Sequence, residues 1–206
     1  FPFLRIAKMK VLLRASVLQF LIYTLHGYKV VSGEAKPGSL EELRNALNTS
    51  EKLWLYERSF TIEGHSCLYI QKLKLDGNTY EFTEFYMNGD KMTSKRLSAT
   101  LSTDSTGSNG QMEISGESEQ GNSLTWQLLI WDPLRHCGVL YSETENNGKK
   151  MNQKCELYIA DEVINGNITQ CQGYYNSYCA TYYDSPKNGQ KKQAVYNSVC
   201  QSVPGC

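Results

Sequence analysis

From residue 53 to residue 159, apolar and polar positions alternate in short runs, and turn residues cut the runs at close intervals. Strict alternation puts every second side chain on one face of a half-buried strand. Trp54, Tyr56, Arg58 and Phe60 fall on one face of a first strand on this pattern. A second strand covers 67–75 and ends at Asp76-Gly77, a dipeptide suited to the positive φ angles of a tight hairpin. Residues 79–87, rich in tyrosine, phenylalanine and threonine, are turned back by Asn88-Gly89-Asp90 into a fourth strand at 92–102. The segment 104–110 holds only Asp, Ser, Thr, Gly and Asn, which marks a loop. Strands at 112–115 and 124–131 follow, joined by a Gly/Ser/Glu connection, and Asp132-Pro133 breaks the pattern. The last pair, 137–142 and 154–159, flanks Asn146-Asn147-Gly148. Eight strands with turns between them and no crossover helix predict an all-β sandwich or barrel.

Helical spacing occurs only at the two ends of this array. Ser39-Leu40-Glu41-Glu42 is a capping box, and it opens a short helix with Leu40, Leu43 and Leu47 on one side. Beyond the last strand, Cys171, Tyr174, Tyr175, Tyr178, Cys179 and Tyr182 form one stripe of a second helix, which reads as packing surface. Eight up-and-down antiparallel strands, a short helix before them and a helix packed outside after them make the plan of a lipocalin, or calycin, barrel.

Composition adds the compartment. Met9-Lys10, an apolar stretch and small residues near Ser32-Gly33 read as a secretory signal peptide over 9–33, with 1–8 as upstream translated sequence. The stretch is too short and too interrupted for a membrane span. Residues 34–206 then form one domain. All seven cysteines fall in it, none in a C-x-x-C pair, so disulfides in an oxidising, extracellular setting are expected rather than zinc. Asn48-Thr49-Ser50 and Asn167-Ile168-Thr169 are glycosylation sequons compatible with secretion. Twenty-one basic residues balance twenty-one acidic ones, so charge recruits neither nucleic acid nor an acidic membrane.

The ordered cysteines with their aromatic companions carry a family likeness. Glu51-Lys52-Leu53-Trp54-Leu55-Tyr56 followed by Cys67, then Cys137-Gly138-Val139, Cys155-Glu156-Leu157-Tyr158, Cys171, and a closing Val195-Tyr196 with Cys200, resemble the tick salivary lipocalins, the histamine-binding family. The Gly-x-Trp signature of other lipocalins is absent, Lys52 standing where the glycine would be, as is usual for the tick branch. In its amine-binding members an aspartate follows the cysteine of the seventh strand, and Glu-Leu-Trp lies in the eighth. Here Gly138 replaces the aspartate and Tyr158 the tryptophan, while Glu156 and Leu157 match. The resemblance also implies an acid near the end of the first strand, where Glu63 precedes Gly64. From cysteine position we expect Cys67–Cys200, Cys137–Cys171 and Cys155–Cys179 with Cys206 odd; Cys155–Cys206 with Cys179 free is the competing arrangement.

Strand parity bears on Glu156 separately. If Cys155 bonds to a helix outside the barrel, Glu156 and Tyr158 point inward, and by the same logic so do Gly138 and Leu140 beside Cys137. An inward glutamate is a ligand anchor, a member of a buried polar cluster, or a mouth residue in contact with water. A desolvated ammonium costs several kcal/mol unless paired, so the missing aspartate weakens an amine site. For an apolar ligand, Tyr56, Phe60, Leu140 and Tyr158 supply wall, and Arg58, if inward, meets a fatty-acid carboxylate. Trp54, at the start of the first strand, is expected to plug the closed end.

Catalysis has little to stand on. His65 and His136 each sit in a turn beside a cysteine, and neither a Gly-x-Ser-x-Gly elbow nor an H-E-x-x-H pair occurs. No cofactor is implied. Two classes remain: a monomeric secreted carrier of a small ligand (histamine, serotonin, a fatty acid or an eicosanoid), which the family resemblance implies acts in saliva to sequester a host mediator, or an interaction module that blocks a host protein such as a complement component.

Overall fold

The computed structural model describes residues 36–146, 149–182 and 191–202. Eight antiparallel strands follow in order: β2 (Leu53–Arg58), β3 (His65–Asp76), β4 (Thr79–Asn88), β5 (Lys91–Thr103), β6 (Gly110–Ser118), β7 (Gly121–Asp132), β8 (Cys137–Asn146) and β9 (Lys149–Ala160). Each pairs with the next and β9 pairs back with β2, so the expected barrel, not a sandwich, is what closes. Two-residue strands flank it: β1 (Lys36–Pro37) pairs with β7, and β10 (Gln193–Ala194) with β2. The expected signal peptide at 9–33, Asn147-Gly148 and Cys206 lie outside the described residues.

One end of the barrel is closed by α1 (Leu40–Leu47). Ser39 Oγ accepts the Glu42 N–H at 3.2 Å, one half of the expected capping box, while the Ser39 N–H donates to the Pro37 carbonyl at 2.8 Å. An eight-residue helix is marginal alone, so it depends on burial of its apolar side. Leu43, Ala46 and Leu47 pack with Leu53, Ile70, Trp131 and Ala160, and each buried leucine contributes about 1.5–3 kcal/mol. The 58–65, 88–91 and 118–121 connections lie at the opposite end, the mouth.

Outside the wall runs α2 (Thr169–Cys179). Cys137–Cys171 and Cys155–Cys179 tie it to β8 and β9, and Cys67–Cys200 ties the C-terminal segment to β3, so the competing pairing through Cys206 is not formed. Of the six-residue stripe, Tyr174 is half-buried and its hydroxyl donates to Asp132 Oδ2 at 3.0 Å. Cys171, Tyr175 and Cys179 are buried, Tyr178 is 42% exposed, and Tyr182 stands past the helix end against Tyr141.

The first strand departs from simple alternation. A β-bulge between Leu55 and Glu57 shifts its register on β9: Leu53 and Leu55 oppose Ala160 and Tyr158, then Arg58 opposes Glu156. One extra residue reverses which face follows. Arg58 and Phe60 therefore turn inward, while Trp54 and Tyr56 lie on the outer face. Trp54 is not a plug for the closed end. It is fully buried outside the wall, 4.7 Å from the Tyr69 ring and 5.2 Å from that of Tyr196, and its Nε1 donates to Asp161 at 2.6 Å.

The same strand parts from β3 after Trp54. Residues 193–195 fill that seam: Gln193 and Ala194 pair with Arg58 and Glu57, and Cys67 N–H donates to the Val195 carbonyl at 2.9 Å.

Candidate functional site

Glu156, Tyr158 and Ala160 of β9 face the barrel interior, while Cys155, Leu157 and Ile159 pack outside against the disulfides. Gly138 and Leu140 of β8 pair with Tyr158 and Glu156 and share the inner face. Strand parity thus assigns these four correctly. Beneath them lies an apolar cavity of about 20 Å³ between Leu53, Leu128, Trp131, Gly138, Leu140 and Tyr158. That is room for about one water. A larger cleft of about 260 Å³ sits at the closed end, lined by Asn48, Glu51, Trp131 and His136 among others, and no residue singled out for ligand contact borders it.

Charge gathers at the mouth. The Arg58 guanidinium is fully buried; its Nη1 donates to both carboxylate oxygens of Glu119, at 2.9 and 3.1 Å, and its Nε donates to Gln193 Oε1 at 2.8 Å. Gln193 is held in turn by the backbone: its Oε1 accepts the Ile62 N–H at 3.0 Å, and its Nε2 donates to the carbonyls of Ile62 and His65. His65 Nδ1 lies 2.8 Å from Glu119 Oε1, one of the oxygens that Arg58 also reaches. The Glu119 N–H donates to Glu84 Oε2 at 2.6 Å. Next to it, Gln120 Nε2 donates to Glu156 Oε1 at 2.8 Å, and Lys154 Nζ donates to Gln120 Oε1 at 3.1 Å. Arg58 and Lys154 both stand over the Phe60 ring, 5.0 and 4.9 Å from its centroid.

Burial dominates the electrostatics here. It pushes Glu156 up to about 8, with the Arg58 charge opposing and Glu119 reinforcing. It pushes Glu84 up to about 7, against the hydrogen bond from the Glu119 backbone. Desolvation lowers Lys154, and it drives Tyr158, whose hydroxyl bonds to Glu156, well above the usual phenol range. A charge stripped of water is costly unless paired, so near neutral pH the Arg58–Glu119 ion pair sits among carboxyls that favour their neutral form. Two buried atoms, Arg58 Nη2 and Glu156 Oε2, make no well-formed hydrogen bond among the described residues.

Some expected ligand residues are elsewhere. Tyr56 stacks outside the wall near Tyr196, with ring centroids 6.1 Å apart. Glu63 is an exposed turn residue, and the acids whose charges act on Glu156 and Tyr158 are Glu119 and Glu84. Asn48 and Asn167 are exposed, as glycosylation positions must be. The sequence held a signal for some of what was missed. Glu84 interrupts the buried face Tyr80, Phe82, Tyr86, and Lys154 has the parity of Glu156. Nothing in a Gly/Ser/Glu connection marks Glu119 as inward-facing.

Comparison with known proteins gives the chain relatives. A family model described as tick histamine binding protein matches residues 31–202. No curated protein matches by sequence. Among solved structures, the chain is similar to AM182 in a serotonin complex, with a TM-score of 0.52 and 14% identity over 79% of this chain and 94% of that one. It is similar to insecticyanin of the tobacco hornworm Manduca sexta, with a TM-score of 0.54 and 12% identity over 82% and 87%. H1 crustacyanin of the lobster Homarus americanus gives 0.51 and 11% over 82% and 93%. At these identities the likeness is one of fold: an eight-stranded barrel.

Proposed function

The chain belongs to the tick histamine binding protein family, and from that membership we propose that it is a secreted carrier that sequesters a small host mediator inside its barrel. The family is one of binding proteins, not enzymes. The observation that carries the reading is the buried polar group at the mouth: Arg58, Glu156 and Tyr158 point into an otherwise apolar interior. Apolar side chains of similar volume would be as stable or more so, hence such a group is better accounted for by what it binds than by what it holds together. The three disulfides fit passage through an oxidising compartment, and the exposed sequons fit a glycoprotein released into saliva.

Serotonin in AM182 belongs to that protein. For this chain, Gly138 in place of an acid and a resident Arg58 guanidinium both count against a cationic ligand. Calorimetry of the secreted protein with histamine, serotonin, a leukotriene and arachidonate tests the reading, alongside native mass spectrometry for a retained molecule. Binding of at least one of these is expected. If none binds and nothing is retained, the carrier reading fails, and the barrel exterior as a monomeric blocker of a host protein takes its place.

A further inference from the structure

The cleft of about 260 Å³ at the closed end plays no part in the carrier reading. Its floor is apolar and made of buried side chains: Ala46 of α1, Leu53 of β2, Trp131 of β7 and Ala160 of β9. Its rim is polar. Asn45, Asn48, Thr49 and Glu51 stand on the side of α1, and His136 belongs to the β7–β8 turn. An apolar floor that includes an indole, under a rim of amides, carboxylate and imidazole, suits a group with C–H faces and hydroxyl edges. A sugar ring is such a group.

Asn48 gives the cleft a specific occupant. It caps the end of α1, with its N–H donating to the Arg44 carbonyl at 2.9 Å, and its Oδ1 accepts from Lys72 Nζ at 2.8 Å. An ammonium only donates, so that bond fixes which end of the amide is oxygen. Nδ2 is left without a partner among the described residues. This nitrogen is the atom to which an N-linked glycan is joined, and Asn48-Thr49-Ser50 is an acceptor sequon. Attachment there breaks no hydrogen bond of the fold. We propose that Asn48 carries an N-linked glycan whose first N-acetylhexosamine folds back into the closed-end cleft, lying on Trp131 and joining the end of α1 to the β7–β8 turn. The inference takes secretion from the carrier reading and nothing about the ligand in the barrel.

Tethering is what makes so modest a cleft sufficient. A sugar fixed at the rim stands at an effective concentration on the order of millimolar or above, so contacts too weak to hold a free ligand persist. The glycan is added to the unfolded chain, before the cleft exists, so the final position of Asn48 against a wall is no obstacle. What it covers matters to α1, whose eight residues are marginal alone and depend on burial at this end of the barrel. The second sequon supplies a contrast. Asn167 is exposed, borders neither cavity, and its Oδ1 accepts the Thr169 N–H at 3.1 Å, so a glycan there stays in solvent.

Ser50 is exposed, and Ser50→Ala destroys the sequon while Asn48 keeps its bond to Lys72. Wild type, Ser50→Ala and Asn167→Gln secreted from insect cells are compared by peptide mapping of glycan occupancy, thermal melts and hydrogen exchange. Wild type is expected to carry a glycan at Asn48. Ser50→Ala should speed amide exchange across Leu40–Leu47 by about fivefold or more and lower the melting temperature by about 2 °C or more. Asn167→Gln should change neither. Trimming wild type to the first sugar with an endoglycosidase should leave the exchange of α1 as it was, because only that sugar lies in the cleft. If Ser50→Ala is not secreted, complete removal by peptide N-glycosidase takes its place. An unoccupied Asn48 overturns the inference. So does α1 exchange that is unchanged in Ser50→Ala, equally fast in both variants, or lost on trimming. None of these results touches the barrel ligand, so the carrier reading stands or falls separately on its own binding panel.

Discussion

A Cβ at position 138 would stand 2.9 Å from Trp131 Cε3 and 3.0 Å from the Ile130 carbonyl oxygen. The glycine therefore makes room for the Trp131 indole. Restoring the acid alone should not restore an amine site. Gly138→Ala is expected to lose about 1–3 kcal/mol through overpacking, and Gly138→Asp more, since it also buries a carboxyl. Thermal melts check this: Gly138→Asp should recover when Trp131→Ala is added, and a Gly138→Asp melt equal to the parent would refute the account. Glu156 makes a second residue-level case. Its carboxyl is raised from 4.5 to about 8 chiefly by burial, so the fold favours the protonated form. Stability from this group is complete below the unfolded value and is lost as pH climbs from about 4.5 to about 8, because the unfolded chain releases its proton first. Glu156→Gln keeps the neutral shape. Its melting temperature relative to wild type should rise between pH 5 and pH 8.5, and a pH-independent gap would contradict the assignment.

The strands themselves were legible, because alternation and Gly/Asn/Asp turns are local signals. The hairpin turns at Asp76-Gly77 and Asn88-Gly89 fall where the sequence puts them, and the strands only extend a few residues past the pattern. The inward set on β8 and β9 was legible too, since a cysteine bonded to an outside helix fixes the parity of its neighbours. What was not legible depends on departures from period two. The bulge at Leu55/Glu57 sends Tyr56 out and Arg58 in, and no residue there signals it. The β6–β7 hairpin is similar: Ser118–Gly121 reads as an ordinary tip, and only the missing pairs on both sides show that it folds over the mouth. Candidate ligand residues on the regular stretch of β8 and β9 before their own register shift at Ser142/Thr144 (Gly138, Leu140, Glu156, Tyr158) were therefore placed from sequence, whereas those on or after the first strand were half misplaced. Phe60 and Arg58 face the interior; Tyr56 and Glu63 do not.

Over the whole molecule, the C-terminal segment completes the wall. β2 meets β3 only at Leu53 and Trp54, and the rest of that seam is closed by 193–195, which also delivers Gln193 to Arg58. Cys67–Cys200 anchors this closure across a separation of 133 residues, while Cys155–Cys179 spans 24. In the chain-entropy model the longer loop contributes about 5 kcal/mol and the shorter about 3.5. The structural consequences diverge further than the entropies. Loss of Cys155–Cys179 loosens a helix packed outside, and β9 keeps both its neighbours. Loss of Cys67–Cys200 releases the strip that seals the seam and holds the guanidinium in place. The double substitution Cys67→Ser/Cys200→Ser should therefore lower the melting temperature more than Cys155→Ser/Cys179→Ser. It should also speed amide exchange at Glu57, Arg58 and Cys67, next to the mouth, while Tyr80 and Phe82 on the far wall stay protected. Hydrogen exchange resolved by peptide, with melts of both variants, tests this. Uniform loss of protection in the first variant would mean that the disulfide acts only through the unfolded chain and that the tail has no particular part in closing the barrel.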